Sequence, residues 1–482
     1  MAAKSTIDGR YHVPLDAIAQ FDLDRIKHEL TFEMPDVGYG APGRVTAYEV
    51  GTTHLSLPKF YGRRRFGQAE IDMQSEGVPI SATFRGELKP VQTEAIDAIL
   101  SAFARYQDTS GSLLCLPCGF GKTVIALALI ARLKVSTLIL VTKGFLADQW
   151  QSEVNTFLPD ATTGRIQRNV ADRADVCIGM VQSLMCREYP PELLEHYGLV
   201  ICDECHHMAA QALMKSMWVC PSRRVLGLSA TPERRDGTTS LLFHMLGDVG
   251  FRKERSAKEE PVSVLLVETR TRHPVQVRGN MRTVDMTKMV SRLIADQARN
   301  TLIATHIERF VASGRNILLL SDRVQHLKDI QAAVIACYED GAAQPPAIGF
   351  YTGTTRRDAR LWAEESAQVI LSTFHMTKEG FNVPRLDTII LATPKGGDIE
   401  QCIGRIQRPS PMKKPPLVVD LVDCMPVFES MSFRRITFYR QHGYPVTREA
   451  GTKRQRDDAP PQNLASLTET WWAVPSTEGT VL

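Results

Sequence analysis

The sequence lacks long apolar runs. Its longest, TLILVT and NILLLS, have the length of a buried strand, whereas a membrane-spanning helix needs about 18 or more apolar residues in a row. The first residues, MAAKSTIDGRYH, contain no apolar core of a secretory signal. The ten cysteines are scattered through apparent strands and helices rather than framing a small scaffold. We therefore expect reduced thiols in an intracellular protein.

The chain also lacks a strong charge of either sign. Its net charge is +3 and its isoelectric point is near 8.3, which is only a weak indication of nucleic-acid binding. One local cluster is more basic, because YGRRRFG places three arginines between Tyr61 and Phe66. This cluster is either a solvated loop at an edge or a contact with a phosphate backbone.

Strand-like and helix-like patterns alternate from about residue 112. The runs SLLCLP, VSTLILVT, DVCIGM, LVICDE and RVLGLSAT are strand-like, with amphipathic patterns such as KTVIALALIARL between several of them. The alternation breaks at the charged segment RKERSAKEEP and then restarts with VSVLLVE, NILLLSD, QVILSTF and TIILATP. Such alternation predicts two α/β domains in tandem, each with a mostly parallel sheet covered on both faces.

The complete prediction is an α/β chain with four parts. The first part is expected to contain β-structure, because apolar and polar residues alternate in RVTAYEVGTTHLSLPKFYG. The last part is polar and is expected to be disordered. In the last part, KRQR resembles a nuclear-import patch, and Trp471 with Trp472 could dock a partner. The predicted boundaries are 1–81 for the N-terminal accessory domain, 82–256 and 262–445 for the two α/β domains, and 446–482 for the flexible tail.

The stretch CLPCGFGKT has two chemical interpretations, and the first is zinc binding. Cys115 and Cys118 have the spacing of a zinc ligand pair, and Cys202 with Cys205 in CDEC supply a second such pair. The separation between the two pairs is far longer than in a usual zinc ribbon. The cysteines also fit the alternative of small buried residues.

The second interpretation is a phosphate-binding loop. Such a loop must follow a strand and open a helix, and SLLCLP precedes the glycines while KTVIALALIARL follows them. Gly121, Lys122 and Thr123 complete the second half of the pattern, and Gly119 adds backbone freedom. The place of the first glycine is taken by Leu116, which departs from the strict pattern.

A second segment supports the nucleotide interpretation. Asp203 and Glu204 directly follow the apolar strand GLVI, as a Walker B site requires. There an aspartate holds Mg²⁺ through water and a glutamate orients the attacking water. One ligand then explains both segments, so we favour a nucleotide site over zinc.

Residues from about 84 to 440 resemble superfamily 2 helicases and translocases. The resemblance rests on nine motifs in order: LKPVQTEAI, LPCGFGKT, LVTKGFLADQW, IGMVQSL, DECHH, LSATPERRDG, LLLSDRVQHL, STFHMTKEGFNVP and QCIGRIQRP. The motifs LPCGFGKT, SATPERRDG and EGFNVP most resemble the branch that includes the XPB-like and UvsW-like proteins. The short layout with a small N-terminal domain resembles helicases of nucleocytoplasmic large DNA viruses, including the poxvirus transcript-release helicase.

This resemblance implies two RecA-like domains that bind ATP in the cleft between them, and it assigns residues to four roles. The implied catalytic residues are Lys122, Asp203, Glu204, Gln401, Arg405 and Arg408. The implied nucleotide-binding residues are Gln92, Gly119, Gly121, Lys122, Thr123 and Asp203, with Thr123 and Asp203 also holding Mg²⁺. The residues implied to couple hydrolysis to nucleic acid are His206, Ser229, Thr231, Thr373, Gly380 and Asn382.

Some of these roles follow from chemistry as well as from resemblance. Arg405 and Arg408 are three residues apart and share one face of a helix, so both could point at the γ-phosphate. Gln401 resembles the family's sensor of the γ-phosphate side. Many relatives carry aspartate at the position of Asn382, where this chain has an amide that can still form hydrogen bonds.

The expected function is an ATP-driven motor on nucleic acid, with DNA preferred to RNA, in transcription or repair. One alternative is a remodeller that does not unwind and instead releases transcripts from an RNA polymerase complex. Others are the motor subunit of a nuclease and a zinc-stapled transcription factor. The expected location is the nucleus or a cytoplasmic viral factory, with packaging in virions as a further option.

Overall fold

The computed structural model describes residues 3–33, 43–105, 109–117, 119–230, 232–234, 236–254, 262–269, 284–339, 344–378, 381–396, 399–408 and 410–450. Within these ranges, no helix combines the length and the apolar composition that a membrane crossing requires. The predicted tail beyond Ala450, with Trp471 and Trp472, lies outside the described residues.

The described residues among the first 81 contain a small mixed sheet, and we call this part of the chain the N-terminal domain. Its strands lie in the order β5-β6-β2-β1-β7, and β3 pairs with β4 beside it. The elements are β1 Thr6–Ile7, β2 Arg10–Pro14, α1 Gln20–Glu29, β3 Thr31–Glu33, β4 Arg44–Thr46, β5 Glu49–Val50, β6 His54–Pro58, α2 Lys59–Phe66 and β7 Ile71–Asp72.

Domain 1, residues 82–254, contains eight described strands in the order β11-β10-β12-β9-β13-β14-β8-β15. Neighbouring strands are parallel except β10 and β11. Its elements are α3 Pro90–Phe103, β8 Ser110–Cys115, α4 Lys122–Leu133, β9 Thr137–Val141, α5 Gly144–Phe157, β10 Thr163–Gln167, β11 Val170–Ala171, β12 Val176–Met180, α6 Val181–Cys186, α7 Pro191–Leu194, β13 Leu199–Cys202, α8 Ala210–Trp218, β14 Arg224–Ser229, α9 Thr239–Leu246 and β15 Asp248–Arg252.

Domain 2, residues 262–450, contains seven described strands, all parallel, in the order β18-β19-β17-β20-β21-β16-β22. Its elements are β16 Ser263–Thr269, α10 Met286–Ile294, α11 Gln297–Ala312, β17 Ile317–Ser321, α12 Val324–Ala336, β18 Ile348–Tyr351, α13 Arg357–Ser366, β19 Val369–Thr373, α14 Phe374–Lys378, β20 Thr388–Leu391, α15 Glu400–Ile406, β21 Leu417–Asp423, α16 Pro426–Gln441 and β22 Val446–Ala450. The predicted fold class, α/β with two tandem domains of parallel sheets, is confirmed.

One segment differs from the prediction. Residues 446–450, which we assigned to the flexible tail, form β22 and extend the sheet beside β16. The preceding Tyr444 is buried in the domain core and Val446 packs against that core. The apolar residues at the start of this polar segment therefore dock it, and the parallel pairing satisfies its backbone groups.

Period-two patterning places the sheet of domain 1 between two hydrophobic layers. Along β8, Leu113 and Cys115 face one layer, whereas Leu114 and the following Leu116 face the other. The same alternation holds in domain 2, where Leu318 and Leu320 of β17 face one cluster and Ile317 and Leu319 face another. Strands buried on both faces read as continuous apolar runs, which is why the sequence revealed them clearly.

The N-terminal domain and domain 1 share one hydrophobic cluster. It contains Ile7, Tyr11 and Leu57 from the small sheet together with Leu113 and Leu138 from the large one. The two domains therefore pack as a continuous core rather than as separate modules joined by a flexible connection.

Close backbone approaches mark this junction. A Cβ atom at Gly9 would lie 2.5 Å from the carbonyl oxygen of Trp218 in domain 1. Lys59 is 2% exposed, and its ammonium donates a 2.7 Å hydrogen bond to the carbonyl oxygen of Ser222. Burial lowers the pKa of Lys59 to about 8.

The arginine cluster in YGRRRFG lies on α2 and not in a loop. Arg64 donates to Asp248 at 2.9 Å, and Arg65 donates to Asp22 and Glu29 at 3.2 and 3.4 Å. These two guanidiniums are therefore engaged within the protein, and of the two alternatives for this cluster the solvated edge loop does not hold. The Arg64 pair also joins α2 to domain 1.

Candidate functional site

The predicted phosphate loop connects β8 to α4. Gly119 and Gly121 have φ values of 89° and 82°, a left-handed conformation that side-chain-bearing residues rarely adopt. Gly121 is also the N-cap of α4, so the free backbone N–H groups of that helix open towards the loop. This conformation is the one that a phosphate cradle requires at the start of a helix.

Leu116, which replaces the first glycine of the pattern, contributes its backbone to the loop. The ammonium of Lys122 donates a 3.0 Å hydrogen bond to the Leu116 carbonyl oxygen. The Leu116 side chain is fully buried in the core on the α4 side of the sheet. A leucine is therefore tolerated at this position because its side chain turns into the core while its carbonyl meets the lysine.

Asp203 and Glu204 follow β13, at the same carboxyl edge of the sheet as the phosphate loop. The indole N–H of Trp150, on α5, donates a 2.8 Å hydrogen bond to Asp203. Glu204 has a φ of 45° and lies 3.8 Å from the Lys122 ammonium. A non-glycine residue in this region is strained, and such strain concentrates at functional sites.

The two carboxyl groups differ in their tendency to ionise. Burial, followed by the neighbouring Glu204 charge, raises the pKa of Asp203. Burial also acts to raise the pKa of Glu204, but the nearby positive charge of Lys122 is the main influence that lowers it, and the net effect is a lowered pKa. Glu204 is thus an anion within the site, as a group that orients water requires.

Gln92 lies beneath the phosphate loop. Its amide oxygen accepts from the Lys89 N–H at 2.9 Å, and its amide nitrogen donates to the Phe120 carbonyl oxygen at 3.1 Å. A Cβ atom at Gly121 would lie 2.4 Å from this same nitrogen. The geometry therefore gives Gln92 a supporting contact with the loop, besides the adenine-side role that the resemblance implies.

Domain 2 contributes two arginines from the end of α15. Arg405 is 7% exposed and donates to the carbonyl oxygens of Thr377 and Phe381 at 2.9 and 3.0 Å. Arg408 donates to the Phe381 carbonyl oxygen at 3.0 Å and to the side-chain oxygen of Asn382. Both arginines are therefore anchored to the segment in which the resemblance places motif V.

These groups from the two domains line one cleft with a volume of about 400 Å³. The predicted site residues on its wall are Gln92, Gly119, Gly121, Lys122, Thr123, Asp203, Glu204, Asn382, Arg405 and Arg408. Cations, carboxylates and a helix N-terminus thus meet in a space of the size that small ligands occupy.

A second group of predicted residues, His206, Ser229 and Gln401, lies around the adjacent histidines His206 and His207. His206 lies 2.9 Å from the Ser229 hydroxyl, measured from Nδ1, and burial lowers the pKa of His206 to about 4. His207 accepts at Nε2 from the Gln401 amide at 3.1 Å, which joins domain 1 to domain 2. His206, His207 and Gln401 line a second cavity of about 630 Å³. Gln401 thus faces the histidine pair.

Of the three further predicted residues, the structure describes one. Thr373 ends β19 beside Ser321 of β17, at the carboxyl edge of the domain 2 sheet. Thr231 and Gly380 lie outside the described residues. The structure therefore brings the predicted catalytic and nucleotide-binding residues together, with Gln401 displaced towards the histidines.

The donor set fits Mg²⁺, which prefers oxygen ligands. Thr123 and Asp203 present a hydroxyl and a carboxylate on the same cleft wall, and the Glu204 oxygen Oε2 is buried without a hydrogen-bond partner within the described residues. The described cysteines fit zinc poorly. Burial raises the pKa of Cys115 to about 11 and that of Cys205 still further, whereas zinc takes thiolates. Within the described ranges, which omit Cys118, no cluster of three or more metal-ligating side chains occurs.

Two residues with a role in this geometry escaped the sequence analysis. Trp150 was visible only as the end of the motif LVTKGFLADQW, and nothing in the pattern indicated its contact with Asp203. Arg234 stands in the motif LSATPERRDG and donates a 2.6 Å hydrogen bond to the Met208 carbonyl oxygen, directly after the histidine pair. Both contacts join segments distant in sequence, so local patterning could not reveal them.

Comparison with known sequences gives a consistent result. Residues 85–234 match the family model described as "Type III restriction enzyme, res subunit". The chain is 28% identical over 449 residues to "Putative ATP-dependent RNA helicase L396" of Acanthamoeba polyphaga mimivirus, covering 90% of this chain and 85% of the relative. It is 26% identical over 391 residues to "Putative ATP-dependent RNA helicase QP509L" of African swine fever virus, strain Badajoz 1971 Vero-adapted, covering 74% and 73%.

Solved structures share the fold at lower identity. The Saccharomyces cerevisiae protein Dbp5, bound to RNA and ADP BeF3, aligns with a TM-score of 0.52 and 13% identity, covering 76% of this chain and 90% of that one. The type ISP restriction-modification enzyme LlaBIII bound to DNA aligns with a TM-score of 0.55 and 14% identity, covering 77% of this chain and 32% of that one. These likenesses concern the fold alone.

The order of the motifs, the paired parallel sheets and the relatives agree with one another. The two α/β domains are RecA-like, and the predicted resemblance to viral helicases is confirmed. The chain is an ATP-hydrolysing enzyme that resembles superfamily 2 helicases and is similar to helicases of large DNA viruses.

Proposed function

We propose that the protein is an ATP-driven translocase that moves along DNA and serves transcription or repair. The observation that supports this proposal best is the cleft in which Lys122, Asp203 and Glu204 of domain 1 face Arg405 and Arg408 of domain 2. Because both domains line the cleft, nucleotide bound there would contact both of them. Hydrolysis would then change how tightly the domains hold each other.

Domain 1 would bind the triphosphate and prepare the attacking water. The N–H groups at the start of α4 would surround the phosphates, and Lys122 would exchange its contact with the Leu116 carbonyl oxygen for phosphate oxygens. Thr123 and Asp203 would hold Mg²⁺, which offsets phosphate charge when it is bound. Glu204, kept ionised by the nearby charge of Lys122, would orient the water for attack.

Domain 2 would supply positive charge to the transition state. Arg405 and Arg408 are held on the backbone of the 377–382 segment, so movement of this segment would carry both guanidiniums towards or away from the γ-phosphate. Arginines placed in this way make hydrolysis depend on domain closure. Thr373 and Asn382, together with Gly380 and Thr231, would relay that dependence to the bound strand.

RNA is the second candidate ligand, because the viral relatives carry the name of RNA helicases and Dbp5 was solved with RNA. The alternatives of a transcript-releasing remodeller acting on an RNA polymerase complex, and of a nuclease motor subunit, would use the same cleft. A viral factory or nucleus remains the proposed location, with packaging in virions as a further option.

Steady-state ATP hydrolysis by the full chain tests this function. Turnover would be measured alone and with single-stranded DNA, duplex DNA or RNA, for wild type and Lys122→Ala. We expect stimulation by DNA of about tenfold or more and its loss in the variant. Stimulation by RNA alone would identify RNA rather than DNA as the ligand. Hydrolysis that no nucleic acid changes would refute the proposed motor function. Strand displacement on a forked duplex then separates unwinding from remodelling.

A further inference from the structure

The two histidines that join the nucleotide site to domain 2 lie on a very short turn. Residues 205–207 form a single 3-10 turn after Glu204. Its backbone bonds run from His207 N–H to the Glu204 carbonyl oxygen at 2.8 Å and from Met208 N–H to the Cys205 carbonyl oxygen at 3.2 Å. A turn with so few bonds of its own depends on outside contacts to keep one conformation.

Arg234 supplies such a contact. Its side chain is 5% exposed, and its Nη1 donates to the Met208 carbonyl oxygen at 2.6 Å, with the Cys205 carbonyl oxygen 3.5 Å away. These two carbonyls stand on either side of the histidine pair. One guanidinium nitrogen thus contacts both ends of the turn.

The opposite side of the guanidinium is fixed by Asp236. Arg234 donates from Nε and Nη2 to the two carboxylate oxygens at 3.1 and 2.5 Å. Asp236 in turn accepts from the Thr238 N–H at 3.0 Å and from the Thr238 hydroxyl at 2.6 Å. The two-bond pairing sets the plane of the guanidinium, which a lysine ammonium could not reproduce.

The Asp236 carboxyl group is held in its ionised form by these contacts. Partial burial acts to raise the pKa of Asp236, but the hydrogen bonds from Arg234 and Thr238 outweigh it and lower the pKa to about 2. The backbone N–H of Arg234 also donates to the Thr239 hydroxyl at 2.8 Å. The arginine is therefore held at its backbone, through its head group and by the start of α9.

We propose that Arg234 is a positioning residue that holds the 205–208 turn so that His207 remains in register with Gln401 of domain 2. This inference rests on the proposed function, because the His207 contact is the link through which nucleic-acid binding would reach the ATP cleft. Arg234 does not line that cleft and instead lies on the wall of the 630 Å³ cavity. Its loss should therefore affect coupling between the domains more than binding of the nucleotide.

The test compares three variants of the full chain. Arg234→Met removes the donors while keeping an unbranched side chain, and Arg234→Lys keeps the charge with a single donor group. Arg252→Met is the matched control, because Arg252 is 46% exposed and pairs with Glu233 in the same region. ATP turnover is measured with and without saturating nucleic acid, and amide hydrogen exchange is followed over residues 204–209 and 399–406.

For Arg234→Met we expect basal turnover within about threefold of wild type and a stimulation factor that falls about tenfold or more. Exchange over residues 204–209 and 399–406 should accelerate by about tenfold. Arg234→Lys should give an intermediate stimulation factor, and Arg252→Met should match wild type.

Several results would overturn the proposal. One is retained stimulation in Arg234→Met, and another is an equal fall of basal and stimulated turnover, which would show a role in the fold or in ATP binding. If Arg234→Met does not fold, the same criteria apply to Arg234→Lys. A wild type that no nucleic acid stimulates would refute the proposed function instead. In that case unchanged exchange over residues 399–406 in Arg234→Met would also refute the positioning role.

Discussion

The amide nitrogen of Gln401 lies 3.1 Å from Nε2 of His207, and this hydrogen bond joins the two RecA-like domains. An amide nitrogen can only donate, so His207 accepts this hydrogen bond at Nε2. The amide oxygen of Gln401 is buried and makes no hydrogen bond within the described residues. The Gln401 amide oxygen can therefore accept one more hydrogen bond when the domains rearrange.

His207→Ala and Gln401→Ala should each lower nucleic-acid-stimulated ATP turnover by about tenfold, because each removes the same interdomain hydrogen bond. The double variant should lose little more than either single one. A double-mutant cycle on stimulated turnover measures this coupling. His196→Ala, a histidine bonded to Arg173 within domain 1, serves as the control. If the loss of stimulated turnover in the double variant equals the product of the two single losses, His207 and Gln401 act independently and the proposed coupling is contradicted.

Trp150→Phe should lower the rate of ATP hydrolysis by about tenfold and raise the Mg²⁺ concentration needed for half-maximal rate. The substitution keeps most of the buried ring but removes the N–H that orients Asp203. Trp218→Phe is the matched control, because the Trp218 indole nitrogen is buried without a hydrogen-bond partner within the described residues. Equal Mg²⁺ requirements in the wild type and Trp150→Phe would contradict the orienting role.

Leu116→Ala should destabilise the protein by about 2–5 kcal/mol, because it leaves a cavity at a fully buried site of the domain 1 core. Leu116→Gly, which restores the usual first glycine of the phosphate loop, should destabilise at least as much without improving the KM for ATP. The carbonyl oxygen that meets Lys122 is present in every variant. Urea unfolding and ATP titration measure the two effects. The partly buried Leu133→Ala should cost less, and a lower KM in Leu116→Gly would disprove this account.

The buried Lys59 should make stability depend on alkaline pH. Its pKa is about 8 in the folded protein and near 10.5 when exposed, so between these values the unfolded chain binds more protons. Unfolding free energy should therefore rise with pH over this window, by on the order of 3 kcal/mol relative to Lys59→Met. Below pH 8 the difference in unfolding free energy between wild type and Lys59→Met should be constant. Thermal unfolding from pH 7 to 10 measures this difference.

The control for that experiment is Lys215→Met, on the exposed face of α8. Its difference from wild type should not change with pH over the same window. A flat difference for Lys59→Met as well would mean that the ammonium is not buried against Ser222.

The sequence predicted the parts of the molecule that depend on local patterning. Apolar runs bounded by turn signals indicated β8, β13 and β14, and the Asp203-Glu204 pair was found because it directly follows one of them. The contact of Trp150 with Asp203 and that of Arg234 with Met208 were not predictable, since both depend on side-chain directions between distant segments. The helix α2 was also missed, because its arginines read as polar until their partners Asp248 and Glu29 are known.

The continuous core of the N-terminal domain and domain 1 affects how the enzyme can be dissected. Side chains on one face of β8 contact the layer shared with the N-terminal domain, and those on the other face support α4, which carries Lys122. A fragment beginning at residue 82 would leave Leu113, Cys115 and Leu138 partly open to water and prone to self-association. In the proposed cycle of hydrolysis, the described part of the N-terminal domain would travel with domain 1 as a fixed attachment, so anything bound to it would be carried along the nucleic acid.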